Sequence, residues 1–278
     1  VIQTGAKPVF CEIDKESWCI SPKEIELLIS SKTKAIMVVH LYGQVADIQI
    51  IQEICLKNKI YFIEDCAEAI GSSYDGNPVG VFGDIATFSF FGNKTISTGE
   101  GGMLLFKDKS LAKKSRILRD HGMNPNMKYW HEIPGYNYRL TNMQAAVGLA
   151  QLERFDSIID KKIIISNWYK EKLGDCKGKI QKPLCLNLVK HSNWLFTVIL
   201  DESIDKDEVI KNLLGFGIEA RRVFYPLNVM PPYSKFRCSK SLLNSKYISD
   251  NGLSLPSSVN LQKNDIAYIV RCLKKILS

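Results

Sequence analysis

Residues 61–106, YFIEDCAEAIGSSYDGNPVGVFGDIATFSFFGNKTISTGEGGMLLF, set the frame for the whole chain. YFIED forms a short strand, and SSYDGNPVGVFGD after Gly71 is a tight excursion that turns at Asp75-Gly76. Residues 85–90 make a second strand, FGNKTISTGEGG a loop, and MLLF a strand pairing beside it. An Asp therefore stands on the tail of one strand and a Ser on the next, with a Lys just beyond it in a loop rich in Gly and Thr.

Upstream the pattern is strand, helix, strand. The unbroken apolar run AIMVVH predicts a strand buried on both faces, the mark of a parallel sheet. DIQIIQEICLKNK supplies the following helix, with Ile50, Ile51, Ile54 and Cys55 at helical spacing. Such βαβ units gather function at the carboxyl ends of their strands, where His40, Tyr42, Gly43 and Asp65 fall. Further upstream, residues 8–13 predict a short strand. SPKEIELLISSKTK predicts a helix with Ser21 as N-cap, Pro22 at its first position and Glu24 three residues after the cap.

Downstream, KSLAKKSRILRDHG predicts a helix closed by Gly122. MNPNMKYWHEIPGYNYRL has no periodicity and many aromatic, Pro and Gly residues, so it is expected to be a long, functional loop. From Thr141 a long helix with small packing residues, AAVGLAQL, continues through FDSIIDKKIIISNWYKEKL as a bridge to a second domain. The texture changes at about Asp175. HSNWLFTVIL and IEARRVF are strands, DKDEVIKNLLGFG is a helix closed by Gly, and NDIAYIVRCLKKIL is a terminal amphipathic helix. The expected architecture is α/β: a large domain over residues 1–158 built on a mainly parallel sheet, and a smaller α+β domain over residues 159–278.

Composition narrows the function classes. In 278 residues, 45% apolar and 24% charged content is that of an ordinary globular protein, and the longest apolar runs are too short for a membrane span. Residues 1–10 lack a signal-peptide pattern, which leads to the expectation of a cytoplasmic protein. The eight cysteines and four histidines are scattered without any CxxC pair, which points to free thiols and no metal site. The formal charge of +8 is spread along amphipathic segments, so a solvated basic surface is expected and no nucleic-acid partner. Val1 is not a methionine and the chain opens as if partway through a βα array, so a longer parent protein is expected.

The chemistry lies in the central stretch. Asp65 follows Tyr61, Phe62 and Ile63, so its carboxylate stands at the rim of an apolar sheet, where a cationic partner offsets its desolvation. A protonated pyridine nitrogen is such a partner. Ser89 offers a hydroxyl to a phosphate, while the Lys94 ammonium reaches the other end of the same small molecule. The glycines around Lys94 allow a flat ring to approach closely. Together these features describe a pocket for pyridoxal 5'-phosphate joined to Lys94, with Asp65 keeping the ring nitrogen protonated.

EDCAEAIGS, FGDIATFSFFGNKTISTGEGG and GYNYRLTNMQAAVGLAQLE resemble the signature segments of the DegT/DnrJ/EryC1/StrS sugar aminotransferases. The likeness extends from VIQTGAKPVF to GLSLPSSVNL. It implies the fold-type I architecture of pyridoxal phosphate enzymes (aspartate aminotransferase-like). The implied reaction moves an amino group from L-glutamate to a nucleotide-linked 4-keto-6-deoxy sugar in surface polysaccharide biosynthesis. It implies Lys94 as the covalent lysine and proton shuttle, Asp65 as the ring-nitrogen partner, Glu68 as the neighbour of the ring hydroxyl and Ser89 as a phosphate ligand. Asn137 is implied to reach the phosphate of a second subunit, making a homodimer with shared active sites. His40, Tyr42 and Arg139 are candidates for the substrate side. The resemblance also implies an upstream segment with a Gly-Ser/Thr phosphate turn and a ring-stacking aromatic. Asn228 stands where relatives often carry His. Two alternatives stay open: sugar 3-dehydration, against which Lys94 argues because those relatives carry His there, and a non-catalytic truncated homologue acting as a dimerising module.

Overall fold

The structure is a computed structural model that describes residues 1–174, 180–181 and 187–278. The expected strand at residues 8–13 does not form a ladder. Phe10 makes a single bridge to Cys238, and Ile13 one to Ile20, because this segment pairs with one distant loop and with the chain just after it instead of with a strand. Helix α1 (Pro22–Leu28) starts after Ser21 with Pro22 in its first turn, although the Ser21 side chain makes no capping hydrogen bond.

Strand β1 (Ala35–Val39) and helix α2 (Ile48–Asn58) lead to strand β2 (Tyr61–Asp65), parallel to β1 in the register Val39 opposite Asp65. Asp47 caps α2 by accepting the Ile50 N–H. Burial along β1 alternates, in contrast to the two-sided burial expected: Ile36 and Val38 are buried, while Met37 is 45% and Val39 41% exposed. Ile25 from α1 and Ile48, Ile51 and Ile54 from α2 pack on one face only, and Ile50 points away at 44% exposure.

The hairpin β3 (Ser73–Tyr74) and β4 (Asn77–Pro78) turns at Asp75 and Gly76, both with positive φ, as a two-residue loop requires. Strand β5 (Ile85–Ser89) adds parallel to β2, and β6 (Gly102–Phe106) closes the edge antiparallel, giving the order β1-β2-β5-β6. Helix α3 (Lys109–Arg119) ends where Gly122 N–H returns to Ile117. The long loop follows as expected, pinned by bridges from Asp120 to Asn137 and from Met123 to His131.

The single long helix expected after Thr141 is two helices. Helix α4 (Asn142–Leu152) carries a Thr141–Gln144 capping box, and α5 (Phe155–Lys172) starts after a break at Arg154. The new direction seats Ile159 against Gly71, so closely that a Cβ on Gly71 would lie 2.3 Å from Ile159 Cδ1.

A second sheet runs in the order β10-β11-β9-β7, from β7 (Ile180–Gln181), the fully buried β9 (Phe196–Leu200), β10 (Arg221–Arg222) and β11 (Gly252–Leu255). A short strand, β8 (Val189–Lys190), instead joins the β3 hairpin. Helices α5, α6 (Lys206–Gly215) and α8 (Lys263–Leu277) cover the second sheet, with Ile165, Tyr169, Leu213, Ile266 and Leu273 in its core. Helix α7 (Leu243–Asn251) and β11 were not legible as elements, since GLSL is buried at every position and shows no alternation. A third cluster, Trp18, Tyr42, Trp194, Ile199, Val223 and Ile248, joins the two cores. The six described cysteines are free thiols, and Cys176 and Cys185 lie outside the described residues. Among the described residues no helix is long and apolar enough to cross a membrane.

Candidate active site

The parallel register brings the carboxyl ends of β1, β2 and β5 to one edge, with Asp65 between Val39 and Thr87. Asp65 Oδ1 accepts the Ala67 N–H at 3.0 Å and the Thr87 hydroxyl at 3.2 Å. Its Oδ2 has no hydrogen-bond donor among the described residues, which leaves an oriented carboxylate oxygen open to a cationic ring N–H. Thr87 was absent from the sequence expectations. The alternation of IATFS puts it on the same face as Ser89, the one signal that pointed to it.

Lys94 follows β5 in a turn closed by its N–H to the Phe91 carbonyl at 3.0 Å. Its Nζ lies 3.6 Å from Glu68 Oε1 and 4.1 Å from the centre of the Trp194 ring. The other carboxylate oxygen of Glu68 accepts the Tyr42 N–H at 3.0 Å. Burial raises the Glu68 pKa above the usual carboxylate range, against the opposing pull of the Tyr42 N–H and Lys94. Tyr42 makes that bond from a left-handed backbone conformation with φ 56°. Its ring stacks on Trp194 and on Phe224, and its hydroxyl oxygen accepts the Phe224 N–H at 3.1 Å. Burial pushes the Tyr42 hydroxyl pKa well above its ordinary value.

The remaining candidates are scattered in environment. Ser89 is half-buried, and its oxygen accepts the Phe91 N–H at 3.3 Å, leaving the hydroxyl proton free to donate to a phosphate. Asn137 is exposed in the long loop. Arg139 is 54% exposed and pairs with Asp120 at 3.2 Å. Asn228 lies in the short turn Leu227–Val229.

His40 differs from its expected place on the substrate side. It is fully buried, its Nδ1 accepts the Ala46 N–H at 3.3 Å and its Nε2 stands 3.1 Å from Glu64 Oε2, so neither nitrogen faces a ligand. His40, Glu64 and Cys66 lie close enough together to suggest a metal site. Glu64, however, already accepts the N–H groups of Gly80, Phe82 and Gly83 at 2.8, 2.9 and 2.6 Å, and burial pushes the Cys66 thiol pKa far up, so the trio is a structural network.

An open carboxylate oxygen, a half-buried amine and a free hydroxyl proton at one sheet edge suit pyridoxal phosphate. The profile of the DegT/DnrJ/EryC1/StrS aminotransferase family matches residues 1–274. GDP-perosamine synthase of Caulobacter vibrioides is 43% identical over 100% of this chain and 75% of its own length. GDP-perosamine synthase of Vibrio cholerae is 41% identical over 99% of this chain and 75% of its own length. The crystal structure of Helicobacter pylori PseC, an aminotransferase involved in the biosynthesis of pseudoaminic acid, superposes with a TM-score of 0.92 at 28% identity, over 99% of this chain and 75% of that one.

Proposed function

We propose that this chain, which belongs to the DegT/DnrJ/EryC1/StrS aminotransferase family, transfers the amino group of L-glutamate to GDP-4-keto-6-deoxy-D-mannose and so makes GDP-perosamine. Its chemistry is that of a sugar aminotransferase and its cofactor is pyridoxal 5'-phosphate. The observation that carries the choice of sugar is the 41–43% identity to GDP-perosamine synthases along the whole chain. When bound, pyridoxal phosphate supplies an electron sink for the carbon that gains or loses a proton.

The chain's own residues do the rest. Asp65 Oδ2 would hold the ring nitrogen protonated, and Thr87 and Ala67 keep that carboxylate from turning. Ser89 Oγ donates to the phosphate. Lys94 Nζ would be the residue that anchors the cofactor and, as a free amine, would serve as the base that takes a proton from the donor's α carbon. Glu68 Oε1 lies beside that amine, so a proton on Nζ is met by a carboxylate. Arg139 and Tyr42 serve the substrate side, and the enclosed His40 serves it only indirectly, by setting the strand end.

The working unit is a homodimer in which Asn137 reaches the partner's phosphate. Helix α4 supports this, since none of its residues is buried and Met143, Val147, Leu149 and Leu152 are 83%, 49%, 59% and 55% exposed. A domain division at 158/159, inside α5, is supported by Ile165 and Tyr169 of the later turns, which pack in the second core.

The test is incubation with pyridoxal phosphate, glutamate and a panel of nucleotide keto sugars, followed by product masses. GDP-perosamine and 2-oxoglutarate in equal amounts are expected. Loss of the sugar 3-hydroxyl would replace the reading by dehydration. Turnover of glutamate by Lys94→Ala would remove Lys94 from its role.

A further inference from the structure

We propose that Trp194 is a positioning residue for Lys94, its indole face forming with the Glu68 carboxylate a two-sided seat for the free ε-ammonium group. The inference rests on Lys94 being the cofactor lysine. A cation over an indole is held by the ring's quadrupole, and most firmly where water is excluded. Trp194 is 3% exposed and the Lys94 side chain 13%, so the contact at 4.1 Å is a sheltered one.

The indole is anchored on several sides. Its Nε1–H donates at 2.8 Å to the carbonyl oxygen of Asn93, the residue before Lys94. Its own carbonyl accepts from Lys162 Nζ at 2.9 Å, and the same ammonium group reaches the Ser257 carbonyl at 2.6 Å. The ring lies parallel to Tyr42, with centres 6.1 Å apart and planes at 14°. Tyr42 also supplies the N–H that orients Glu68. Both walls of the seat are thus tied to one residue, and the wall that Trp194 forms is fixed to the second core.

The chemistry gives such a seat a purpose. A lysine that is covalently bound at one stage and free at another must stay within reach when it is released, or its proton transfers slow. A flexible four-carbon side chain has many other rotamers to visit. The seat confines the released amine to one place beside the reacting edge.

The test needs no cofactor. In cofactor-free protein at fixed pH, acetylation of Lys94 by acetic anhydride, followed by peptide mass spectrometry, reports how firmly its ammonium is held. Trp194→Leu is expected to label Lys94 between about 2-fold and 30-fold faster than wild type, with exposed Lys113 unchanged as the reference. Trp194→Phe keeps an aromatic face and loses the Nε1–H, and it should restore most of the protection. Glu68→Gln removes the second wall at constant size and should also speed labelling. Wild-type rates in Trp194→Leu or Glu68→Gln overturn the proposal. Equal acceleration in the Phe and Leu variants overturns it too, because the effect would then pass through the Asn93 hydrogen bond. Borohydride reduction of wild type with pyridoxal phosphate is the separate check on the underlying reading. A missing adduct on Lys94 sinks that reading, while the labelling still judges the seat.

Discussion

Glu64 and Lys162 are buried ionisable groups, the first stabilising and the second destabilising in its charged form, and both make the fold gain stability as pH rises, in different pH ranges. For Glu64, burial raises the pKa, but the His40 hydrogen bond and the N–H groups of Gly80 and Gly83 outweigh it and leave the carboxyl below its ordinary 4.5. A carboxyl lowered in the folded state contributes stability above its unfolded value and loses it as pH falls through the folded one. Urea unfolding should therefore show wild type's advantage over Glu64→Gln shrinking as pH falls below the ordinary carboxyl value of 4.5. Glu64→Ala, which strands His40 and three N–H groups, should cost about 3–5 kcal/mol at neutral pH. Lys162 is a cost where Glu64 is a gain, since burial lowers its pKa from 10.5 to about 8. Its cost is fully present below the folded value and fades as pH rises toward the unfolded one, up to a limit of roughly 3 kcal/mol. Wild type should gain on Lys162→Met between about pH 8 and about pH 10.5 in the same assay. Neither residue was singled out in the sequence. Asp65 was, because it ends its strand, whereas the importance of Glu64 comes from backbone N–H groups that fold over it from residues 80–83.

Among the elements, the long loop after α3 depends on one close approach. Gly122 has φ 70°, and a Cβ there would stand 1.8 Å from the Ile133 carbonyl oxygen. Gly122→Ala should therefore displace residues 123–140, which carry Asn137 and Arg139. Limited proteolysis with mass mapping should show faster cutting within that span and an unchanged pattern in residues 196–277. An unchanged loop pattern would mean that the approach is not needed. The loop was legible as a loop from its lack of period, and Gly122 as a helix terminator. The break between α4 and α5 was not legible, because RFDS contains no Pro or Gly and the turn is imposed by the seat of Ile159 on Gly71. The two-sided burial expected of β1 failed for a related reason: an apolar run states what could be buried, and the packing of neighbours states what is.

For the molecule as a whole, α4 and the loop before it expose an apolar surface that self-association would cover. Val147→Glu should reduce the sedimentation mass from that of two chains to that of one, and a wild type sedimenting as a single chain would dismiss the shared active site. The sequence by itself determined the strand and loop order that places Asp65, Ser89 and Lys94, the groups proposed to carry the chemistry, at one sheet edge. These follow from short-range pattern: a strand tail, a second strand and the loop after it, all within one contiguous stretch. Tertiary structure alone decided how those groups are held. Thr87 steadies Asp65 across the sheet, Tyr42 orients Glu68, and Trp194 reaches the Lys94 loop from 101 positions away. Contacts at such separations leave no periodicity in the chain, because they arise where two cores, each folded on its own pattern, meet and exclude water from the space between them.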